Sequence, residues 1–459
     1  MSCSGLLLLA ALALAPRPLD RSDPLAGDGP RAQAVAAVEQ AARALAEEVA
    51  ANAGGGLSAG WAAVAFEIPE GAPLAGYGAR AGAAHTGTRR AVTARAVALD
   101  NGRSQVVVLA PELLLVAEAL RDRIVERSGL EREQLLFTAS HTHSGPGGWG
   151  RHPLETAVVG AWDEAVVEAI VDACVRAVAG AREQLAPAAW GWVSVDAGDR
   201  VRNRTVAGGP VDPRLEALVL ARPNPDGHGH GWEPRAALVV YAAHATCHGP
   251  DLLEWCGDYP GALIEALEGE HGLEFAAFAS GAVGSQGPVA PEGADEMGRE
   301  LAARLAPAMA ELDAAGGWQS RARLGTALVP LQADLSLRLG DGWRLSPWLT
   351  RRMRGPDSEW HLVRLGERLL VGLPVEVSAM LTEPWRLRGE VEGVELVPLC
   401  FNGNYLGYVL PDQLYDQPSY ESGMSFLGPH GGSWVDELLR VSMEAQWGRR
   451  LRDLPYERE

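Results

Sequence analysis

Not one lysine occurs in the 459 residues, so every fixed side-chain cation is an arginine. That absence removes P-loop phosphate binding, Schiff-base formation and Ser–Lys catalysis, each of which needs a lysine amine. Cysteine is scarce: Cys3, Cys174, Cys247, Cys256 and Cys400 make no CxxC pair, which argues against a structural zinc ribbon. Cys247 and Cys256 flank a short loop, compatible with a disulfide in an oxidising compartment and equally with two reduced thiols. Long apolar runs are missing too. The run from Leu6 to Ala15 is too short to span a bilayer. It ends in small residues like a secretory h-region and cleavage site, although no basic stretch precedes it. A secreted or periplasmic location is the expectation; a cytoplasmic protein with a mis-assigned start is the alternative. Excess positive charge is also absent. A formal net charge of −19 argues against nucleic acid and against anionic membrane surfaces as partners.

What remains is a chain with 47% hydrophobic residues and mean hydropathy −0.04, the composition of a soluble protein with a substantial core. Arg31 to Asn52 reads as an alanine-rich helix ended by Gly54, Gly55 and Gly56, with the folded core beginning near Trp61. Strand patterns follow at Ala94–Leu99, Gln105–Leu109, Glu133–Thr138, Leu238–Ala243 and Glu274–Phe278. Helical periodicity is expected over Leu113–Ser128, over one long segment Glu155–Glu183, and over Ser433–Arg452. Pro223 to Pro234 has the composition of a surface loop. No internal repeat is visible, and no Pro/Ser-rich linker divides the chain. The alternation predicts an α/β fold of mixed α+β layers, divided as a signal segment 1–20, a helical or flexible segment 21–56 and a single catalytic domain 57–459.

Four stretches carry chemistry. Leu135 to Gly150 reads LLFTASHTHSGPGGWG: a buried strand opens into a glycine-rich loop bearing His141 and His143. Histidine at the carboxyl end of a strand is where open α/β sheets place ligands, and neutral imidazole is the commonest zinc ligand. The second strand, Leu238 to Ala243, ends in His244, with His248 four residues on and Gly257-Asp258-Tyr259-Pro260 opening a helix. Asp258 is either an N-cap or a carboxylate orienting a metal-bound group. A third strand empties into Ala279 to Pro288, which includes Ser285. In the fourth, LLVGLPVEVSAM, Glu376 interrupts an apolar run; a buried carboxylate needs a cation, either a metal or an arginine. Phe401 to His430, rich in Asn, Gly and Tyr, has the irregularity of site-forming loops.

These residues resemble the neutral/alkaline ceramidases, zinc-dependent amidohydrolases of N-acylsphingosines. HTHSGPGG (His141 to Gly148) is close to that family's most recognisable motif. PLAGYGAR with TARAVALD, RNRT (Arg202 to Thr205), VVYAAHAT with CGDYPG, LPVEVSAM, and NYLGYVLP through SYESGMSFLGPH resemble further segments in the family's order. Residue by residue, the resemblance implies Zn2+ held by His141, His244, Glu376 and Tyr420, with Tyr405, Tyr408 and Tyr415 as rival tyrosines. It implies His143 and Arg204 at the substrate carbonyl. Two histidines and a carboxylate leave an open position, the pattern of a catalytic zinc site. The expected partner is a small N-acyl or lipid-like substrate, its apolar part lined by Trp149, Trp255 or Trp348.

Three departures from the family pattern bear on substrate identity. Gly287 stands at the position of a family serine, Ser285 at that of an aspartate, and Glu112 replaces an early aspartate. The chain also ends without the family's C-terminal immunoglobulin-like domain. Two alternatives follow: a serine hydrolase built on Ser285, though Val283 breaks the Gly-x-Ser-x-Gly spacing, or a degenerate member binding lipid or glycan without turnover.

Overall fold

The structure is a computed structural model describing residues 14–449, apart from 24, 53, 225–230, 341 and 354–356. Most of the signal-like run and the centre of the Pro223–Pro234 loop therefore lie outside the described residues. Three sheets form the body. The first contains β1 (Ser58–Ala65), β2 (Thr93–Asp100), β3 (Gln105–Leu109) and β4 (Leu135–Phe137), with Ala186–Pro187 on its edge. The second contains β5 (Ala189–Asp196), β6 (Arg214–Pro223), β7 (Trp232–Tyr241) and β8 (Phe275–Ser280). The third contains β9 (Leu324–Gln332), β10 (Asp357–Leu365), β11 (Arg368–Leu373) and β12 (Glu395–Cys400). Seven longer helices accompany them: α1 (Pro30–Ala51), α2 (Glu118–Ser128), α3 (Glu164–Glu183), α4 (Asp258–Gly269), α5 (Ala294–Ala314), α6 (Ala379–Glu392) and α7 (Gly431–Trp447).

The sheets share one plan, and this corrects the expectation of no internal repeat. In each, the first three strands are antiparallel neighbours, and the fourth pairs parallel with the third after a helical crossover. The crossover helices are α2, α4 and α6 in turn. The last parallel pairs are Leu109 with Phe137, Tyr241 with Ser280, and Leu373 with Cys400. Three residues beyond the third strand of each unit stand Glu112, His244 and Glu376. The repeat is topological, with no side-chain period to betray it in the sequence.

One face of every sheet meets a shared core built from Trp61, Val108, Leu136, Leu238, Phe275, Leu370 and Leu399, among others. Helices cover the outer faces: α3 lies on β1 and β2, α5 on β5, and α1 on β9 with α7 against it. Helix α1 buries Val38, Ala42, Leu45 and Val49, so the folded body includes it and does not begin at Trp61.

Two expected helices are shorter than their periodicity. Leu113 to Val116 are buried without helical structure, and α2 starts at Glu118. The segment Glu155–Glu183 is broken: Pro153–Val159 ends at Gly160, where φ is +79°, and Asp163 caps α3 by accepting from the Ala165 amide at 2.9 Å. Glycine relieves a left-handed backbone, and periodicity does not register that break. Cys247 and Cys256 are free thiols, Cys247 lying 3.8 Å from the sulfur of Met297.

Candidate active site

The carboxyl ends of β4, β7, β11 and β12 deliver the polar side chains to one place. His141 follows β4 in the left-handed region, φ +59°. Its ring stacks on Phe401, at a centroid distance of 4.2 Å, and Phe401 itself follows β12 with φ +72°. Non-glycine residues held there are uncommon and cluster at functional sites.

The hydrogen bonds fix the tautomers. His141 Nδ1 donates to the Leu114 carbonyl at 2.7 Å, and His244 Nδ1 donates to the Val283 carbonyl at 3.1 Å. A carbonyl can only accept, so both Nδ1 atoms carry the proton and both Nε2 atoms of the neutral rings are bare. Those Nε2 atoms face each other at 2.9 Å. Glu376 Oε2 lies 3.1 Å from His244 Nε2 and 3.5 Å from His141 Nε2, buried and without a hydrogen-bond donor. Its other oxygen accepts from the Tyr405 phenol at 2.7 Å. Three lone-pair atoms thus converge with no proton among them, the donor set that fits a metal cation.

Electrostatics point the same way. Burial, then Arg204 and His141, push His244 down to about 3, so it is neutral at physiological pH. Burial opposes charge on Glu376, and holding it ionised there, well below the usual carboxylate range, takes positive charge beside it, on the imidazoles or on a cation they share. His143 is also pushed well below the usual histidine value by burial and by His141 and His244. Its Nε2 lies 3.4 Å from His141 Nε2, and His141, His143 and His244 form a triad able to hold a metal. His143 differs from the other two, because its Nδ1 is buried without a partner.

Arg204 closes the opposite side. It approaches His244 Nε2 at 3.4 Å, donates to the Tyr408 hydroxyl at 3.0 Å and pairs with Glu421 at 2.7 Å. The Tyr408 hydroxyl stands 3.3 Å from His244 Nε2. Burial and Glu376 raise both Tyr405 and Tyr408 well above the usual phenol value, keeping them as O–H donors.

Tyr420, the tyrosine expected as a ligand, is placed elsewhere. It is 64% exposed, its ring edge-on to Tyr408 at 5.8 Å, at the rim of the pocket. The phenols that reach the cluster are those of Tyr405 and Tyr408, and the Tyr-Glu context in sequence did not distinguish them. Ser285 is fully buried, its hydroxyl accepting from Ser378 at 2.8 Å. No histidine base contacts it among the described residues. Gly287 sits in a short strand opposite Arg202, and a Cβ there would lie 3.6 Å from Arg204 Cδ. Asp258 is not the N-cap, which is Gly257. Its carboxylate accepts from the amides of Cys247 and His248, at 3.3 and 3.0 Å, and so braces the loop after His244. Glu112 accepts from the amide and hydroxyl of Thr93, away from the cluster.

A pocket opens onto these groups. Leu114, Leu115, Trp149, Val158, Val159, Met424 and Phe426 form its apolar walls. Of the three tryptophans expected there only Trp149 contributes; Trp255 stacks on His85 at 3.8 Å and Trp348 lines a separate surface cleft.

Residues 67–214 match the family model described as neutral/alkaline non-lysosomal ceramidase, N-terminal. A curated relative, the neutral ceramidase of Pseudomonas aeruginosa, is 25% identical over 158 residues, covering 32% of this chain and 22% of the relative. The match thus spans about a fifth of that relative's length. The crystal structure of neutral ceramidase from Pseudomonas aeruginosa superposes with TM-score 0.70 at 18% identity, covering 87% of this chain and 76% of that one. A ceramidase complexed with C2 gives the same TM-score and identity, covering 87% and 77%. At that identity the superposition speaks for the fold alone. Residues 67–214 are thus similar in sequence to the neutral/alkaline non-lysosomal ceramidases, and the chain shares the fold of a neutral ceramidase along most of its length.

Proposed function

We propose that this chain is a zinc-dependent hydrolase of an N-acyl amide linkage, ceramidase-like in mechanism. The observation that carries the reading is the convergence of His141 Nε2, His244 Nε2 and Glu376 Oε2, three bare acceptors buried at one point. His141, His244 and Glu376 would hold the metal, with the phenols of Tyr405 and Tyr408 beside them. Zinc bound there supplies a Lewis acid and lowers the pKa of water to about 7.

The chain's own residues do the rest. The apolar walls orient an acyl chain and exclude water, which strengthens every charge–dipole interaction inside. Arg204, always protonated, and the phenol of Tyr408 offer donors to charge developing on the carbonyl oxygen. One such donor is worth about 3 kcal/mol. His143, neutral and with an unpartnered Nδ1, is the base and acid that serves the amide nitrogen.

Ceramide or a simpler N-acyl amine is the substrate class that an apolar pocket ending in these groups admits. The test is metal analysis joined to turnover of N-acyl amines graded in chain length. Stoichiometric zinc with cleavage of at least one amide is the expected result. Cleavage by metal-free protein at an unchanged rate sinks the zinc reading. Bound zinc without turnover of any amide or ester sinks the hydrolase reading and leaves a binding protein.

A further inference from the structure

Arg80 belongs to none of the groups described so far, yet the residue is 6% exposed and no carboxylate pairs with it among the described residues. A buried charge without a counter-ion is costly, so its hydrogen bonds have to be numerous. It donates to the carbonyls of Ala75 at 3.0 Å, Pro250 at 3.1 Å and Leu252 at 2.8 Å, to the Ser144 hydroxyl at 3.3 Å, and to the carbonyl of His143. Those acceptors come from three separate loops: Arg80's own, the His141–Gly148 loop, and the loop after His244. Arginine alone offers five donors in one rigid fork, enough to address all three together.

The surroundings make His143 the object of this clamp. Tyr77, with Arg80 over its ring at 4.8 Å, packs its other contacts on the His143 imidazole at 4.8 Å and donates to the His248 carbonyl at 2.7 Å. Gly76 has φ +111°, and a Cβ there would stand 2.6 Å from His143 Cα, so the backbone is pressed against the histidine. Asp258 holds the amides of Cys247 and His248, while Arg80 holds carbonyls of the same loop; two buried opposite charges thus grip one segment. The His143 ring meanwhile has no anchor at Nδ1. Its aim depends on where its backbone is fixed.

We propose that Arg80 is a positioning residue: it sets the register between the His143 loop and the loop after His244, and thereby aims the His143 imidazole into the pocket. The kinetic part rests on the reading of His143 as a substrate-facing group; the structural part does not. Arg80→Lys and Arg80→Ala test it in zinc-loaded protein. Misplacement of a catalytic group by about 1 Å can cost a hundredfold, so kcat falls by roughly tenfold to a hundredfold while KM stays within about threefold. Zinc stoichiometry and melting temperature stay near wild type in Arg80→Lys, and free guanidinium restores part of the turnover of Arg80→Ala. Independently of turnover, the 15N imidazole resonances of His143 shift or broaden in both variants, whereas those of the remote, buried His361 stay put. Wild-type kinetics with unmoved His143 resonances overturn the proposal. So does a loss of turnover that tracks loss of zinc or of fold and is not rescued by guanidinium. Should the wild type cleave no amide, the hydrolase reading falls and the imidazole resonances still decide the positioning role.

Discussion

His141 and His244 bring their Nε2 atoms to 2.9 Å of one another, and neither nitrogen has a proton to give. Both protons are committed at Nδ1, to the carbonyls of Leu114 and Val283. Hydrogen bonds of that kind, made by the ring nitrogen turned away from the metal, are what orient metal-ligating histidines. The pair is repulsive unless a cation shares it, so metal binding should stabilise the fold. Zinc at a hundredfold excess over its Kd adds about 2.7 kcal/mol, visible as a rise in melting temperature over chelator-treated protein. Identical melting curves with and without zinc would rule the site out.

His143 sits in the same triad but lacks the Nδ1 anchor. His141→Ala and His244→Ala should therefore lose stoichiometric zinc, and Glu376→Gln should weaken it at least tenfold. His143→Ala should keep zinc and lose turnover by about a hundredfold or more, the usual size of a general acid–base contribution. Loss of zinc from His143→Ala would instead make the three histidines the ligand set.

The tyrosines separate by what their hydroxyls touch. Tyr405→Phe leaves Glu376 Oε1 without its 2.7 Å donor, which costs about 1–3 kcal/mol of stability or metal affinity. Tyr408→Phe removes the hydroxyl placed between Arg204 and His244, and kcat should fall by about a hundredfold. Tyr420→Phe, at the exposed rim, should leave zinc stoichiometry unchanged. Isothermal titration with zinc alongside kinetics checks all three, and a zinc defect confined to Tyr420→Phe would restore it as the ligand.

Much of this site was legible in the sequence because its members sit where strands end. His141, His244 and Glu376 each follow an apolar run, and the strands preceding them lie close to their expected places. Less legible were relations between strands. Tyr405 and Tyr408 outrank Tyr420 only because Glu376 at one side and Arg204 at the other fix which phenol points inward. Arg80 could be quoted within PLAGYGAR but not understood, since apart from the Ala75 carbonyl its acceptors lie 63 to 172 positions away. The threefold plan escaped because hydrogen-bond topology repeats while residue types do not. A glycine at 160 could break a helix in space without breaking its hydrophobic period.

Away from the site, His361 ties acid stability to one residue. Its Nε2 lies 2.9 Å from both the Thr326 hydroxyl and the Glu133 carbonyl, and burial, then Arg132, push its pKa from 6.5 to about 3. The unfolded chain takes up this proton near 6.5 and the folded chain only near 3. Stability from this group is therefore intact above about pH 6.5 and falls as pH drops toward 3, with a limiting slope of about 1.4 kcal/mol per pH unit. His361→Gln removes that titration, so its unfolding free energy should decline less steeply between pH 6 and 4, roughly the window opened by the shift. Parallel stability–pH curves for the two proteins would contradict the assignment.

Gly287 connects the geometry to the question of substrate. A Cβ at this position meets only Arg204 Cδ at 3.6 Å and Arg202 Nε at 3.9 Å, ordinary contacts that ask nothing to move. Its backbone is paired strand, not a left-handed turn, so a side chain brings no strain. Gly287→Ser should fold with a melting temperature within about 2 °C of wild type, the range of a substitution that breaks no named interaction. Its hydroxyl would sit beside the guanidinium assigned to the carbonyl oxygen and add one donor there. If the missing serine limits turnover, Gly287→Ser raises kcat on N-acyl amines by about tenfold or more and leaves zinc content alone. If it lowers kcat/KM instead, the glycine makes room for a substrate whose carbonyl neighbourhood is bulkier than a serine at this position would admit, and substrates branched next to the amide should then be cleaved faster than linear ones.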